Sequence, residues 1–471
     1  MKRLAPLVLA ALAFLTSRLG AEATAAKPNI LWLIVEDACP DFGCYGNSSV
    51  RTPNIDRFAG ESRLYTRAFA TAPVCSPSRS ALMTGRYQAS FGAQNHRSHR
   101  NDGFRRPADV RLISERLREA GYFTANVRHL PSSLDFAGSG KTDWNFHDDG
   151  KAFHSDKWSD LKAQQPFYAQ VNFRETHRIY QKAAVNPTDP ATVNLPPYLA
   201  DDPVIRADWA AYLDQLAVLD TKIGAVLALL DREGLRENTA VFVFADNGRE
   251  DFRGKYYASE QGFHVPLIVR WPALLSPGTT SNELVSLLDV HAMSLWLAGV
   301  RAEGLNGWPF FGPDARRREL VFGARDRVDE SSDHVRTVRD ARYKYVRNFE
   351  PHRPYLQPMP YAEVTNPTYR RMRELFAQGA LNSAEAKFMA PHRPMEELYD
   401  LNADPFELHN IASDPLRGAT LDRLRVSLDK WMKETGDQGG TSEDIKAVQE
   451  QLNSPGRQEN IRRLRKELGL D

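Results

Sequence analysis

The sequence predicts an α/β fold: a large, mostly parallel mixed sheet flanked by helices, followed by a smaller C-terminal α+β domain. Three observations predict it. The continuous apolar runs in "NILWLIVED" from Asn29, "FYAQVNFRETH" from Phe167 and "TAVFVFADNG" from Thr239 have the length of strands buried on both faces of such a sheet. Helical stretches separate the runs, for example 111–120 and 209–233, the latter closed by Gly234. After about residue 312 the texture changes. There "RTVRDARYKYVRNF" alternates as strands do, and "MEELYDLNADPFELHNIASDP" reads as a strand, a turn-rich link and a short helix.

The chain begins with Lys2 and Arg3, an apolar stretch over 4–15 and small residues around Ala21 and Ala23. This is the pattern of a cleavable secretory signal peptide over 1–26, too short for a spanning helix. A periplasmic or secreted protein with no membrane anchor is expected. With 471 residues, more than one core is needed. The domains are expected at 27–312 (catalytic) and 313–435 (smaller), with a charged, solvated helical tail over 436–471. Lys plus Arg total 61 against 60 Asp plus Glu, with no long basic run, which argues against nucleic acid as a partner. Export permits disulfides, yet three cysteines form no framework; Cys39 and Cys44 are either a close pair or two free thiols.

Each long apolar run ends in groups able to do chemistry: Glu36 and Asp37, His177, and Asp246 with Asn247. In open α/β sheets the site lies at the carboxyl ends of the strands, so three strand ends point to one place. "CSPSRSALMTGRY" from Cys75 adds a fourth part. Pro77 suits the first turn of a helix and good helix formers follow, so Cys75 stands at a helix N-terminus, where free amides attract an anion. Residues 351–395, rich in Pro, His and Arg, read as a long loop region.

Together these blocks resemble the formylglycine-dependent sulfatases of the alkaline phosphatase superfamily. The resemblance rests on Cys75-Ser76-Pro77-Ser78-Arg79 with "MTGRY", the acidic pair after the first strand, "TPNIDRFA", "ETH", "ADNG", "RGK" and "ELYDLNADPFELHNIA", in that order. It implies that Cys75 is oxidised to Cα-formylglycine by a formylglycine-generating enzyme that reads Cys-x-Pro-x-Arg. Hydration of the aldehyde gives a diol; one hydroxyl attacks sulfur, and the second, on losing its proton, expels sulfate.

The resemblance also implies one Ca²⁺. Glu36, Asp37, Asp246, Asn247 and the modified Cys75 offer only oxygen ligands, which suit calcium or magnesium rather than zinc. Glu36 stands where better-known members have Asp; it either coordinates or moves one step out. By position, Arg79 orients the diol, Lys141 touches sulfate and diol, and His177 and Lys255 flank the leaving oxygen. Where the family has a histidine after that first lysine, this chain has Asp143, which takes the base role or holds Lys141. "NHRSHR" puts His96, Arg97, His99 and Arg100 near the site, and His96, His99 and Arg100 are the expected substrate contacts. Along that stretch and "FRETHR" the chain is most similar to the heparan N-sulfatase branch. The expected substrate is a sulfated saccharide, with O-sulfate and N-sulfate both open and phosphodiester or phosphonate hydrolysis as the other class.

Overall fold

In the computed structural model, which describes residues 27–470 apart from 101 and 442, the described strands fall into two sheets. In chain order they are β1 (Asn29–Val35), β2 (Arg63–Phe69), β3 (Phe123–His129), β4 (Ser155–Lys157), β5 (Phe167–Phe173) and β6 (Thr239–Ala245). There follow β7 (His264–Arg270), β8 (Thr279–Ser286), β9 (Val321–Arg325), β10 (Val335–Arg339), β11 (Tyr343–Asn348) and β12 (Glu396–Asp400). The large sheet has the order β4-β3-β5-β1-β6-β7-β2-β8, and the small one β12-β11-β10-β9. The signal peptide expected over 1–26 lies outside the described residues.

Only β7 runs against its neighbours β6 and β2; the other pairs of the large sheet are parallel, so the sheet is mixed as the sequence predicts. Every residue of β1, β5 and β6 is buried, which is why these runs are apolar without alternation. Trp32 packs edge-on against Tyr168 and Phe244 of the flanking strands and donates Nε1–H to Ser294 Oγ at 3.0 Å. The register is level: Val35 pairs with Phe173 on one side and Ala245 on the other. The three chains therefore leave the sheet at the same height, and their next residues meet.

Helices behave much as their caps dictate. The helix expected over 209–233 starts earlier, at Pro203, because Asp202 accepts the Val204 N–H and proline occupies the first turn. The stretch 351–395 is not one long loop. It holds the helices Pro360–Thr365, Pro367–Ala377 and Ser383–Ala386, with Asn366 and Asn382 as side-chain caps. In "ELYDLNADPFELHNIASDP" the link after β12 is made of turns, and the helix begins only at Gly418.

That helix, Gly418–Thr435, lays Leu421, Leu424, Leu428 and Trp431 on the small sheet against Ala324, Val338, Tyr345 and Leu398. Tyr87, just past the helix Cys75–Thr84, meets Trp431 edge-on at 5.0 Å, so the small domain is packed directly against the end of that helix. The tail is helical over Ile445–Leu452 and Pro455–Glu467, but it is not simply solvated: Ile461 and Leu464 are buried against Val364. Among the described residues no helix is long and apolar enough to cross a membrane. All three cysteines are free thiols, so Cys39 and Cys44 do not pair.

Candidate active site

The level ends of β5, β1 and β6 bring Glu36, Asp37, His177, Asp246 and Asn247 together, with backbone bonds fixing the exits. Glu36 N–H reaches Phe173 O at 3.0 Å, Asp246 N–H reaches Val35 O at 3.0 Å and Ala38 N–H reaches Asn247 O at 3.1 Å. Asp37 adopts a left-handed backbone (φ 52°), which turns its side chain inward. Its Oδ1 accepts from Asn247 Nδ2 at 2.9 Å and faces Cys75 Sγ at 3.6 Å. Its Oδ2 accepts from Lys255 Nζ at 2.7 Å, with His177 Nε2 at 3.9 Å. Burial pushes this carboxyl up, but Lys255, His177 and Lys141 outweigh it and hold the group well below the usual range.

Cys75 opens the helix Cys75–Thr84, preceded by an extended Val74 that offers no side-chain cap. The first amides are thus left for another acceptor. Gly85 ends the helix at φ 70°, pressed so close to His291 that a Cβ would lie 2.7 Å from that ring. Burial, then Asp37, push the Cys75 thiol up, so it stays protonated and is no thiolate nucleophile as it stands.

Asp37, Cys75 and Asp246 offer ligand atoms that lie within 4.8 Å of one another. Beside them Asn247 gives both amide hydrogens away, to Asp37 and Gly248 O, while its buried Oδ1 has no partner. A buried carbonyl left without a donor, next to two carboxylates, is what a hard cation satisfies. The residues present fit Ca²⁺, with the oxygen of a converted residue 75 in place of sulfur. Gly248 keeps Asn247 in place: a Cβ there would meet Gln261 O at 1.7 Å.

Arg79 ties the helix to both strand ends, donating to Asp246 Oδ2 at 2.8 Å and to Asn172 Oδ1 at 2.7 Å. Lys141, from the loop after β3, donates to Glu36 Oε2 at 2.8 Å, and Ser139 takes the other oxygen at 3.3 Å. Glu36 is therefore turned to Lys141 and lies outside the cluster around Cys75. Asp143 pairs with Arg100. Burial opposes its ionisation, but Lys141 and Arg100 bring it down to about 2, which leaves a weak base.

The expected substrate contacts divide. His96 is buried, with Nδ1 3.1 Å from Asp329. His99 uses both ring nitrogens, Nδ1 on Asp102 at 2.7 Å and Nε2 on Gly92 O at 3.0 Å, and stacks on Phe104. Both nitrogens are engaged within its own loop, while the residue lines the same cleft as Arg100. That cleft, of about 660 Å³, is lined by His99 and Arg100 together with Arg128, Trp144, His147 and His154. Arg97 stands nearer to Cys75 than sequence reasoning could establish. Its N–H donates to Ser76 Oγ at 2.8 Å, a contact that only the return of the chain creates.

Residues 28–300 match the family model for sulfatases. The chain belongs to the sulfatase family. It is 32% identical over 469 residues to an ulvan-active sulfatase of Formosa agariphila, a match covering 88% of this chain and 76% of that protein. It is 26% identical over 471 residues to the N-sulphoglucosamine sulphohydrolase of Homo sapiens, covering 88% and 91%. Among solved structures, a phosphonate monoester hydrolase from Silicibacter pomeroyi shares the fold with a TM-score of 0.61. It is 18% identical, with coverage of 87% of this chain and 96% of that one.

Proposed function

We propose that this sulfatase removes sulfate from a sulfated saccharide, with residue 75 as nucleophile and one bound Ca²⁺. The observation that carries the reading is the Asp37 carboxylate, which touches Lys255 and Asn247 and faces Cys75 at the helix N-terminus. Conversion of Cys75 to Cα-formylglycine would supply a hydrated aldehyde as nucleophile, made by a formylglycine-generating enzyme during maturation. Held by Asp37, Asp246, Asn247 and residue 75, Ca²⁺ would supply a Lewis acid to a sulfate oxygen.

The chain's own groups do the rest. The amides of the first turn of Cys75–Thr84 and the Lys141 ammonium face the bound anion. Arg79, fixed by Asp246 and Asn172, keeps the helix start in register with the strand ends. His177 donates Nδ1–H to Arg178 O at 2.9 Å, which leaves Nε2 directed at the site. With Lys255 it is placed to hand a proton to the leaving oxygen. Asp143 keeps Arg100 and Lys141 balanced, and Glu36 orients Lys141 rather than the ion.

A polysaccharide sulfate ester is supported by the likeness to the ulvan-active enzyme, and an N-sulfate by the likeness to the human sulphohydrolase. The leader read over 1–26 supports export to the periplasm or beyond. The deciding experiment is sulfate release by protein co-expressed with the converting enzyme. The substrates are ulvan oligosaccharides, N-sulfated and O-sulfated glucosamine, and a phosphonate monoester. Sulfate release from a saccharide is expected. Phosphonate cleavage with no sulfate release from any member of the panel would overturn the reading.

A further inference from the structure

Arg97 has a backbone in the left-handed region (φ 56°), held there by its N–H bond to Ser76 Oγ in the first turn of the catalytic helix. Its side chain is half-buried, and the strongest charges on it are the Asp329 and Asp143 carboxylates. Among the described residues it makes no hydrogen bond or ion pair. Its neighbours differ: Arg79 is tied to Asp246, Arg100 to Asp143, Arg327 to Glu443 and Arg457 to Glu330. The two carboxylates near Arg97 are also engaged, Asp143 by Arg100 and Asp329 by His96 and Arg457. A half-buried guanidinium that keeps its proton and has no protein partner is free to take a ligand anion in exchange for water.

The loop that carries Arg97 is held from outside by the C-terminal tail. Gln451, on the helix Ile445–Leu452, donates to Arg97 O at 2.6 Å. Arg457 reaches Glu330 at 2.7 Å and Asp329 at 3.5 Å, and Glu443 accepts from Arg327 at 2.9 Å. Arg327 in turn bonds the same loop, its carbonyl taking His96 N–H at 2.8 Å and its N–H reaching Asn95 Oδ1 at 3.0 Å. Tail, the 325–330 segment, the 95–100 loop and the catalytic helix form one connected stack.

We propose that Arg97 binds an anionic group of the saccharide beside the scissile sulfate, a carboxylate or a second sulfate, and that Gln451 is the residue that positions it. This rests on the sulfated-saccharide reading of the site. The scissile group already has Lys141, Lys255 and the helix amides; Arg97 stands toward Asp143 and Asp329 and so meets the neighbouring group. The planar fork suits a carboxylate or sulfate taken through two parallel bonds.

The test uses Arg97→Ala, Arg97→Lys and Gln451→Ala in the full chain. The probes are a disulfated glucosamine, a monosulfated disaccharide carrying a uronic acid, and nitrophenyl sulfate, which has no sugar. Arg97→Ala should lose about 10- to 100-fold in kcat/KM on one of the anionic saccharides, mainly through KM. Its loss on nitrophenyl sulfate should be at least about tenfold smaller. Arg97→Lys should restore part of the KM, and Gln451→Ala should raise KM on the same saccharide with kcat little changed. Equal losses on saccharide and nitrophenyl sulfate would assign Arg97 to the scissile sulfate and overturn the proposal, as would no loss on any probe. Calorimetric binding of the same saccharides needs no turnover and separates this proposal from the functional reading. Saccharide binding that is weakened in Arg97→Ala supports it even without sulfate release. A saccharide that binds wild type and Arg97→Ala equally, or neither, refutes it.

Discussion

Lys255 donates to Asp37 Oδ2 across 2.7 Å, while the other oxygen of that carboxylate faces Cys75 Sγ at 3.6 Å. One buried carboxylate thereby links Lys255 to Cys75, the two residues to which the proposed function gives the leaving group and the attack. Both partners are withdrawn from water, so their attraction is little screened. Lys255→Met keeps most of the volume and removes the charge. It should lower kcat by about 10²- to 10⁴-fold with KM changed far less, the range typical for losing a proton donor or a charge on the transition state. Steady-state kinetics on nitrophenyl sulfate, with calcium content measured alongside, checks this. A variant with full kcat would remove Lys255 from the chemistry.

Glu36 is paired with Lys141 at 2.8 Å and with Ser139 at 3.3 Å, so the proposed Ca²⁺ site rests on Asp37, Asp246, Asn247 and residue 75 without it. Glu36→Gln is nearly isosteric and frees the lysine from its counter-charge. The expected outcome is one calcium per chain as in wild type, with kcat down by about 10- to 100-fold because Lys141 is no longer oriented. Elemental analysis after dialysis against chelator distinguishes the roles, since loss of calcium in this variant would make Glu36 a ligand.

Much of this arrangement was legible in the sequence because the same physics that buries a strand also marks its end. β1, β5 and β6 are buried throughout, and the candidate site residues follow their ends: Glu36 and Asp37 directly after β1, Asp246 and Asn247 directly after β6, and His177 four residues after β5, past Arg174 and Glu175. The reversed direction of β7 leaves no trace in periodicity, since a buried strand looks alike both ways. The helices at Pro360 and Pro367 were hidden because proline punctuates loops and also opens helices. His99 lines the cleft beside Arg100, but its nitrogens turn into its own loop. Which way a loop histidine points depends on Asp102 and Gly92 O, a pairing that only the folded loop makes. The tail showed its charges but not the two apolar residues, Ile461 and Leu464, that dock it against Val364.

His291 reports on the packing under the catalytic helix. It is fully buried, donates Nδ1–H to Leu82 O at 2.9 Å and leaves Nε2 without a partner. Burial pushes it down to about 3, with Arg116 adding to the fall. Its unfolded value is near 6.5, so below that pH the unfolded state binds the extra proton. The neutral ring's contribution is therefore complete above about 6.5 and is lost as pH falls toward 3, by up to about 1.4 kcal/mol per unit. Urea unfolding from pH 7 to 5, above most carboxylate titration, should show this slope in wild type and a shallower one in His291→Gln. Identical slopes would place the charge change elsewhere.

The central claim is that residue 75 acts as an oxidised cysteine and not as a thiol. The thiol that folding leaves there is buried, faces the Asp37 carboxylate and is held protonated, a poor nucleophile in a site otherwise organised around an anion. Mass spectrometry of the tryptic peptide "AFATAPVCSPSR", residues 68–79, in preparations of graded activity measures the claim directly. Specific activity should rise in proportion to the fraction of peptide in which CH₂–SH has become an aldehyde, and should vanish where that fraction is zero. Full activity in a preparation carrying only unmodified Cys75 would contradict it.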